Sequence, residues 1–411
     1  MRRYDQEMVS FLRSRSKSDK RLNVTIFVSI TLAFLSSGCA RLIGDWGAAA
    51  LNNEGEDTEV VDSTSSPFVT RWNIASDGET LTLPLRSGFN YDFTVEWGDG
   101  SAESVVTSFD DSDKAHTYTS AGEYTVRITG VVEAVTMFDT PDDPDRSGLV
   151  AAALQLIEVV DLGDVGWKSL RGAFAGADNL ESLSGGVTDQ VTDMSYAFYS
   201  SMDNGGSLDF STWDTRSVTE MSGMFQGLTT VNGGLNVSNF DTRNVTNMSS
   251  MFANCGEFEL DLSNFDTGQV TNMSSMFEGS HGLAELVISN WNTGAVTNMS
   301  RMFLGANGLS ELDLSAWDAS AVTDISFMFA AQGFVKIDLS GWNTQNVTDM
   351  SYLFAQAQQL RFIYANSWDL SNVVSSDLAI YDNHSTLVIY CDQGGSPGTG
   401  SFFGQPCAPV P

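Results

Sequence analysis

The sequence predicts a mixed α/β fold: a repeat solenoid with one short strand and one short helix per turn, preceded by a small all-β sandwich. Three observations lead there. A Val-Thr-x-Met block returns between Val191 and Val347, β-rich runs bounded by turn residues fill residues 67–138, and no proline interrupts the chain between Asp145 and Ser396. With 411 residues, 42% hydrophobic and 11% aromatic, the chain has material for two or three packed domains.

The first element is a targeting segment over residues 1–38. Seven basic residues among the first 21 are followed by an apolar run from Val24 to Leu35, and then by Ser36-Ser37-Gly38-Cys39. The run is short for a membrane-spanning helix. It resembles a bacterial lipoprotein signal, which implies that Cys39 becomes the lipidated first residue and anchors the chain to a membrane. It departs from that pattern in carrying Ser36 where Leu is usual, with Leu35 one step further back; ordinary signal cleavage and an uncleaved anchor are the alternatives. Residues 39–66, acidic and rich in Ser and Thr, read as a flexible stalk.

Residues 67–138 read as an antiparallel sandwich. Phe68–Trp72, Thr80–Leu83, Tyr91–Trp97 and Tyr124–Ile128 are β-rich or alternating, and Trp97-Gly98-Asp99-Gly100 supplies a hairpin turn. With His116-Thr117-Tyr118 and Ala121-Gly122-Glu123-Tyr124-Thr125-Val126, this segment resembles the polycystic-kidney-disease (PKD) type of immunoglobulin-like domain. That resemblance implies a spacer or contact module of an exported protein, with His116 in a structural role. Residues 139–164 form the connection and N-terminal cap.

The repeats occupy 165–390. The block recurs at Val191, Val218, Val245, Val270, Val296, Val322 and Val347, spacings of 25 to 27 residues, with a Phe seven residues after each Val except that Phe174 marks a degenerate first unit. Val245, Met248, Met251 and Phe252 fall at i, i+3, i+6 and i+7, which predicts a short helix; Leu260-Asp261-Leu262-Ser263 alternates, which predicts a strand. An aromatic follows each strand, at Trp213, Phe240, Phe265, Trp291, Trp317, Trp342 and Trp368, and is expected to stack as a structural column. The residue after each aromatic is Asp or Asn, an interchange that asks for an oxygen acceptor at a turn more than for a charge. Beyond the repeats, Cys391 and Cys407 lie in a Gly/Ser/Pro-rich tail (391–411), where a disulfide would close the C-terminal cap.

The block Leu260–Thr267 followed by Val270–Phe277 resembles the BspA-like leucine-rich repeat of bacterial surface proteins, also found in mycoplasma lipoproteins. The resemblance implies an exported, non-enzymatic protein, some members of the family being adhesins; it passes on no ligand.

Charge narrows the function further. Lys+Arg 20 against Asp+Glu 52 gives −32, so nucleic acid is a poor partner. Loss of residues 1–38 would leave 13 basic and 49 acidic residues. Three His and four Cys offer little for catalysis or zinc, so no enzyme and no cofactor are expected, while a carboxylate-only calcium site stays open but weakly supported. The expectation is a cell-surface lipoprotein binding an extracellular protein or glycan; a non-adhesive envelope scaffold is the alternative. The candidate binding face is the outward strand row Asp209, Asn236, Asp261, Val287, Asp313, Asp338 and Tyr364.

Overall fold

Alternation of side chains organises the first part of the chain. In β3 (Tyr91–Glu96), Tyr91, Phe93 and Val95 are buried while Asp92 and Glu96 face water, the mark of a sheet with one wet face. The computed structural model describes residues 65–138, 150–202, 204–256, 260–283, 286–309, 312–366, 368–383, 385–391 and 401–409. The signal peptide, the lipidation candidate Cys39, nearly all of the stalk, and His384 lie outside the described residues.

The strands β1 (Phe68–Ile74), β2 (Thr80–Thr82), β4 (Ser104–Val106), β5 (Ala115–Thr117) and β6 (Gly122–Val132) accompany β3. β2 and β5 form a separate antiparallel pair, and the larger sheet runs β4-β3-β6-β1 before continuing through β7 (Leu156–Asp161), β8 (Ser182–Leu183) and β9 (Ser207–Leu208). β7 pairs antiparallel with β1 and parallel with β8, and β8 pairs parallel with β9. One sheet therefore leads from the N-terminal strands into the first repeats. Arg71 on β1 ties the same junction, with ion pairs to Glu123 at 3.4 Å, Glu158 at 3.0 Å and Glu181 at 3.1 Å.

The Trp-Gly-Asp-Gly turn is held from within. Gly98 has φ +82° and a Cβ there would lie 2.4 Å from the Thr125 carbonyl oxygen, so only glycine fits. Trp97 donates to Ser104 Oγ, His116 stacks on Trp97 with 5.0 Å between ring centroids, and His116 Nε2 lies 2.8 Å from Asp99 Oδ2. Burial acts to raise the Asp99 carboxyl, but hydrogen bonds from Ser101 and His116 outweigh it and hold it at about 2.

The fold class predicted for the repeats is overturned. The described chain is nearly all β, in several sheets; neither the strand-and-helix alternation nor the solenoid built on it is found. Among the described residues the single α-helix is α1, the four residues Ala152–Gln155, outside the Val-Thr-x-Met blocks. The stretch Val245–Phe252 is a run of tight turns. Ser250 and Asn254 sit at φ +56° and +54°, which no helix accommodates. Its N–H groups point to the neighbouring repeat: Met248, Ser250, Phe252 and Asn254 donate to the carbonyls of Asn272, Ser274, Met276 and Glu278. Only alternate groups bond locally, Met251 N–H to the Met248 carbonyl for instance. That i to i+3 bond produces the three-residue spacing that reads as helical.

Successive repeats lie side by side. Single parallel bridges join Ser169, Asp193, Glu220, Asn247, Asn272, Asn298, Asp324, Asp349 and Ser375 in order. Longer strands form at the C-terminal end, where β10 (Lys336–Asp338), β11 (Phe362–Tyr364) and β12 (Val388–Tyr390) make a parallel sheet. The core between is aromatic. Phe174, Phe198, Phe225, Phe252, Phe277, Phe303, Phe329 and Phe354 stack with centroids 5.3 to 5.9 Å apart and ring planes within 27°, and each offset pair adds about 1 kcal/mol beyond burial.

Candidate functional site

Positions whose side chains leave the core carry whatever specificity the repeats have, because the inward positions are dictated by packing. The seven aromatics of the second column, Trp213, Phe240, Phe265, Trp291, Trp317, Trp342 and Trp368, are all inward: none exposes more than 4% of its surface. Trp291, Trp317, Trp342 and Trp368 stack at 6.2 to 6.4 Å. The indole N–H of Trp317 donates to the Ile288 carbonyl and that of Trp368 to the Leu339 carbonyl. These rings offer no platform to a sugar. The Asp or Asn after each ring caps a turn, Asp214, Asp241, Asp266, Asn292, Asp318, Asn343 and Asp369 each accepting from the N–H two residues on.

The row Asp209, Asn236, Asp261, Val287, Asp313 and Asp338 is exposed, and Tyr364 half-buried. Neighbours in it are aligned by the Leu235–Leu260 bridge and by the pairing of Asp338 with Tyr364. Each oxygen-bearing member also does local work: Asp209, Asn236, Asp261, Asp313 and Asp338 accept through Oδ1 from the N–H of Ser211, Ser238, Ser263, Ser315 and Ser340, at 2.9 to 3.2 Å. These bonds tie each side chain to its own turn while the residue stays exposed. Hydrogen bonds from the same serines hold the carboxyls of Asp209, Asp261 and Asp313 below the ordinary carboxylate range. Asn236 and Val287 stand between the acids, which spaces like charges.

Three residues outside the expected row complete the face at its C-terminal end. Tyr390 stacks on Tyr364 at 4.6 Å, Lys336 Nζ lies 4.7 Å from the Tyr364 ring centre, and Phe362 is 37% exposed beside them. Lys336 and Phe362 lie two residues before Asp338 and Tyr364, and so on the same side of their strands. The alternation of Phe362-Ile363-Tyr364 was the available signal. The face thus changes along its length from acidic to aromatic.

A second outward row occupies left-handed backbone. Tyr196, Ser250, Ser275, Arg301, Phe327, Tyr352 and Leu378 have φ between +53° and +59°. Phe327 and Tyr352 stack at 4.5 Å and Arg301 lies 5.0 Å from the Phe327 ring centre.

The described cysteines and His281 lie at separate places in the repeats and the C-terminal end. Cys391 and Cys407 are disulfide-bonded, with Cα atoms 5.2 Å apart. Cys255 is buried, and its thiol donates to the Phe225 carbonyl. His281 is exposed on a turn. Among the described residues no three His, Cys, Asp or Glu side chains come close enough to hold a metal ion.

Two segments, residues 168–287 and 283–387, match the model of one family, described as "Mycoplasma protein of unknown function, DUF285". No curated protein and no solved structure matches the chain.

Proposed function

The chain belongs to this family of mycoplasma-type proteins of unknown function, DUF285, and on that premise we propose that it is an exported surface protein, lipid-anchored through Cys39, that binds an extracellular protein or glycan through the outward row of its repeats. The observation that carries the reading is the row itself: Asp209, Asp261, Asp313 and Asp338 are exposed, each held to its turn through Oδ1, and lead into Lys336, Phe362, Tyr364 and Tyr390. Such a strip suits a partner with cationic groups and an apolar part. The BspA-like character of the repeats and the PKD-like character of residues 67–138 agree with a role at the bacterial envelope. The net charge of −32 speaks against nucleic acid, and acids set one per repeat give calcium no cage.

One observation favours the alternative, an envelope scaffold without a ligand: every acid of the row already caps a turn. The two separate in one experiment. Asn236 makes the same turn-closing bond as its acidic neighbours, so changing Asp209, Asp261, Asp313 and Asp338 together to Asn removes charge and keeps the turns. Binding by wild type on matrix-protein and glycan arrays, lost in this variant, supports the face. A wild-type protein that retains nothing on either array supports the scaffold.

A further inference from the structure

Backbone hydrogen bonds join one repeat to the next in two rows: one donates backward, as Thr348 N–H to Thr323 and Val374 N–H to Thr348, and the other runs forward. Alternate N–H groups of a turn donate forward to carbonyls of the following turn: Met350, Tyr352, Phe354 and Gln356 donate to Ser375, Asp377, Ala379 and Tyr381, at 2.7 to 3.0 Å. The last turn, in register through the Asp349–Ser375 bridge, holds the same conformation, with Leu378 and Asp382 at φ +53° and +52° where Tyr352 and Gln356 have +58°. Its corresponding donors, the N–H groups of Ser376, Leu378, Ile380 and Asp382, meet no acceptor among the described residues. The same end exposes apolar side chains. Val374, standing where earlier repeats carry Thr348 and Thr323, is 88% exposed, and Leu378 and Tyr381 are each 48% exposed. The other half of this end is closed: the hairpin of β13 (Ser401–Phe402) and β14 (Gln405–Pro406) seats Phe402 5.4 Å from Trp368, and Ala408 N–H donates to Ile389.

We infer that this open half-end is a docking site for an extended segment of another protein, which adds one more turn in trans by offering backbone carbonyls at alternate residues and apolar side chains against Val374, Leu378 and Tyr381. The occupant follows from the forward row of donors, which calls for carbonyls at alternate residues. The interface it would make continues the turn-to-turn interface already present throughout the repeats, and strand-like additions of this kind draw affinity from main-chain hydrogen bonds. A second copy of this chain is excluded as occupant. Head-to-tail stacking is blocked, because the first turn is covered by Ala134 and by Met137, whose N–H donates to the Gly172 carbonyl; tail-to-tail contact would set the four donors of this forward row against the same four donors. The inference is independent of the outward acidic face, which lies on other residues.

The test uses the full chain and a synthetic peptide of residues 266–280, whose carbonyls at Asn272, Ser274, Met276 and Glu278 already accept this row of bonds inside the protein. Amide hydrogen exchange at Ser376, Leu378, Ile380 and Asp382 should be fast in the free protein and slow by about tenfold or more on peptide saturation. The double change Val374→Lys and Leu378→Gly keeps the left-handed backbone and should weaken the peptide by about tenfold with the melting temperature unchanged. Amides already protected in the free protein, protection arising at another surface, no protection at millimolar peptide, or equal affinity for the variant would each overturn it.

Discussion

A hydroxyl sealed inside a protein is stable only if both its donor and its acceptor are used, and the buried threonines of the repeats meet that demand between turns. Thr188, Thr215, Thr242, Thr293 and Thr344 each donate to the carbonyl, and accept from the N–H, of Asp214, Asp241, Asp266, Asp318 and Asp369 one turn on. Thr242→Val leaves a buried N–H and C=O unserved and should cost about 1–3 kcal/mol in denaturant unfolding. Ala319 occupies the same place one repeat earlier than Thr344 and is fully buried; Ala319→Thr restores the hydroxyl toward Asn343 and should stabilise by about 1 kcal/mol. A loss on Ala319→Thr would show that this turn is packed too tightly for it. Asp99 supplies a pH dependence. Its folded carboxyl at about 2 lies below the ordinary 3.8, so the stabilisation is whole above roughly pH 4 and is lost as pH falls through 2. A side-chain NMR titration of Asp99 with its midpoint near 4 would contradict the bond to His116. Burial pushes the Cys255 thiol well above its usual range, and it should resist alkylation until the protein unfolds.

Each repeat is an element whose rings pack on the repeats to either side. Trp317 touches both neighbours, stacked 6.2 Å from Trp291 and 6.3 Å from Trp342. Trp317→Ala should cost about 3–5 kcal/mol. Trp317→Phe should cost about 1–2 kcal/mol, since Phe240 and Phe265 hold that place without an indole N–H to donate. Equal losses for the two variants would mean that the ring contributes no stacking. The sequence showed this core through its period, its aromatics and the Asp/Asn acceptors. It misled on the helix for a physical reason: Val245, Met248 and Met251 recur every three residues in a turn closed by i to i+3 bonds as they do on a helix face. Glycine marks the left-handed positions in some repeats, at Gly172, Gly223, Gly227, Gly279 and Gly305, but Tyr196, Ser250, Arg301, Phe327 and Tyr352 occupy them in others, residues that carry no such signal.

At the scale of the molecule, the antiparallel strands and the repeats are one structure. The described residues belong to a single compact unit, and β7, in a stretch whose sequence reads only as a connection, joins β1 to β8. Calorimetry should therefore show one unfolding transition, and two separated transitions would contradict the shared sheet. The proposed face was partly legible. Its acidic half follows from strand alternation, whereas Lys336, Phe362 and Tyr390 join it only because β10, β11 and β12 align them in register. The claim that this face is what the protein binds with is tested most directly by the salt dependence of binding to whichever partner the arrays return. Exposed carboxylates are screened over about 8 Å at physiological ionic strength, so the affinity of the wild-type chain should fall steeply between low and physiological salt, and the variant carrying Asn at 209, 261, 313 and 338 should bind weakly at every salt concentration. An affinity that is flat in salt and equal for the two proteins would contradict the account.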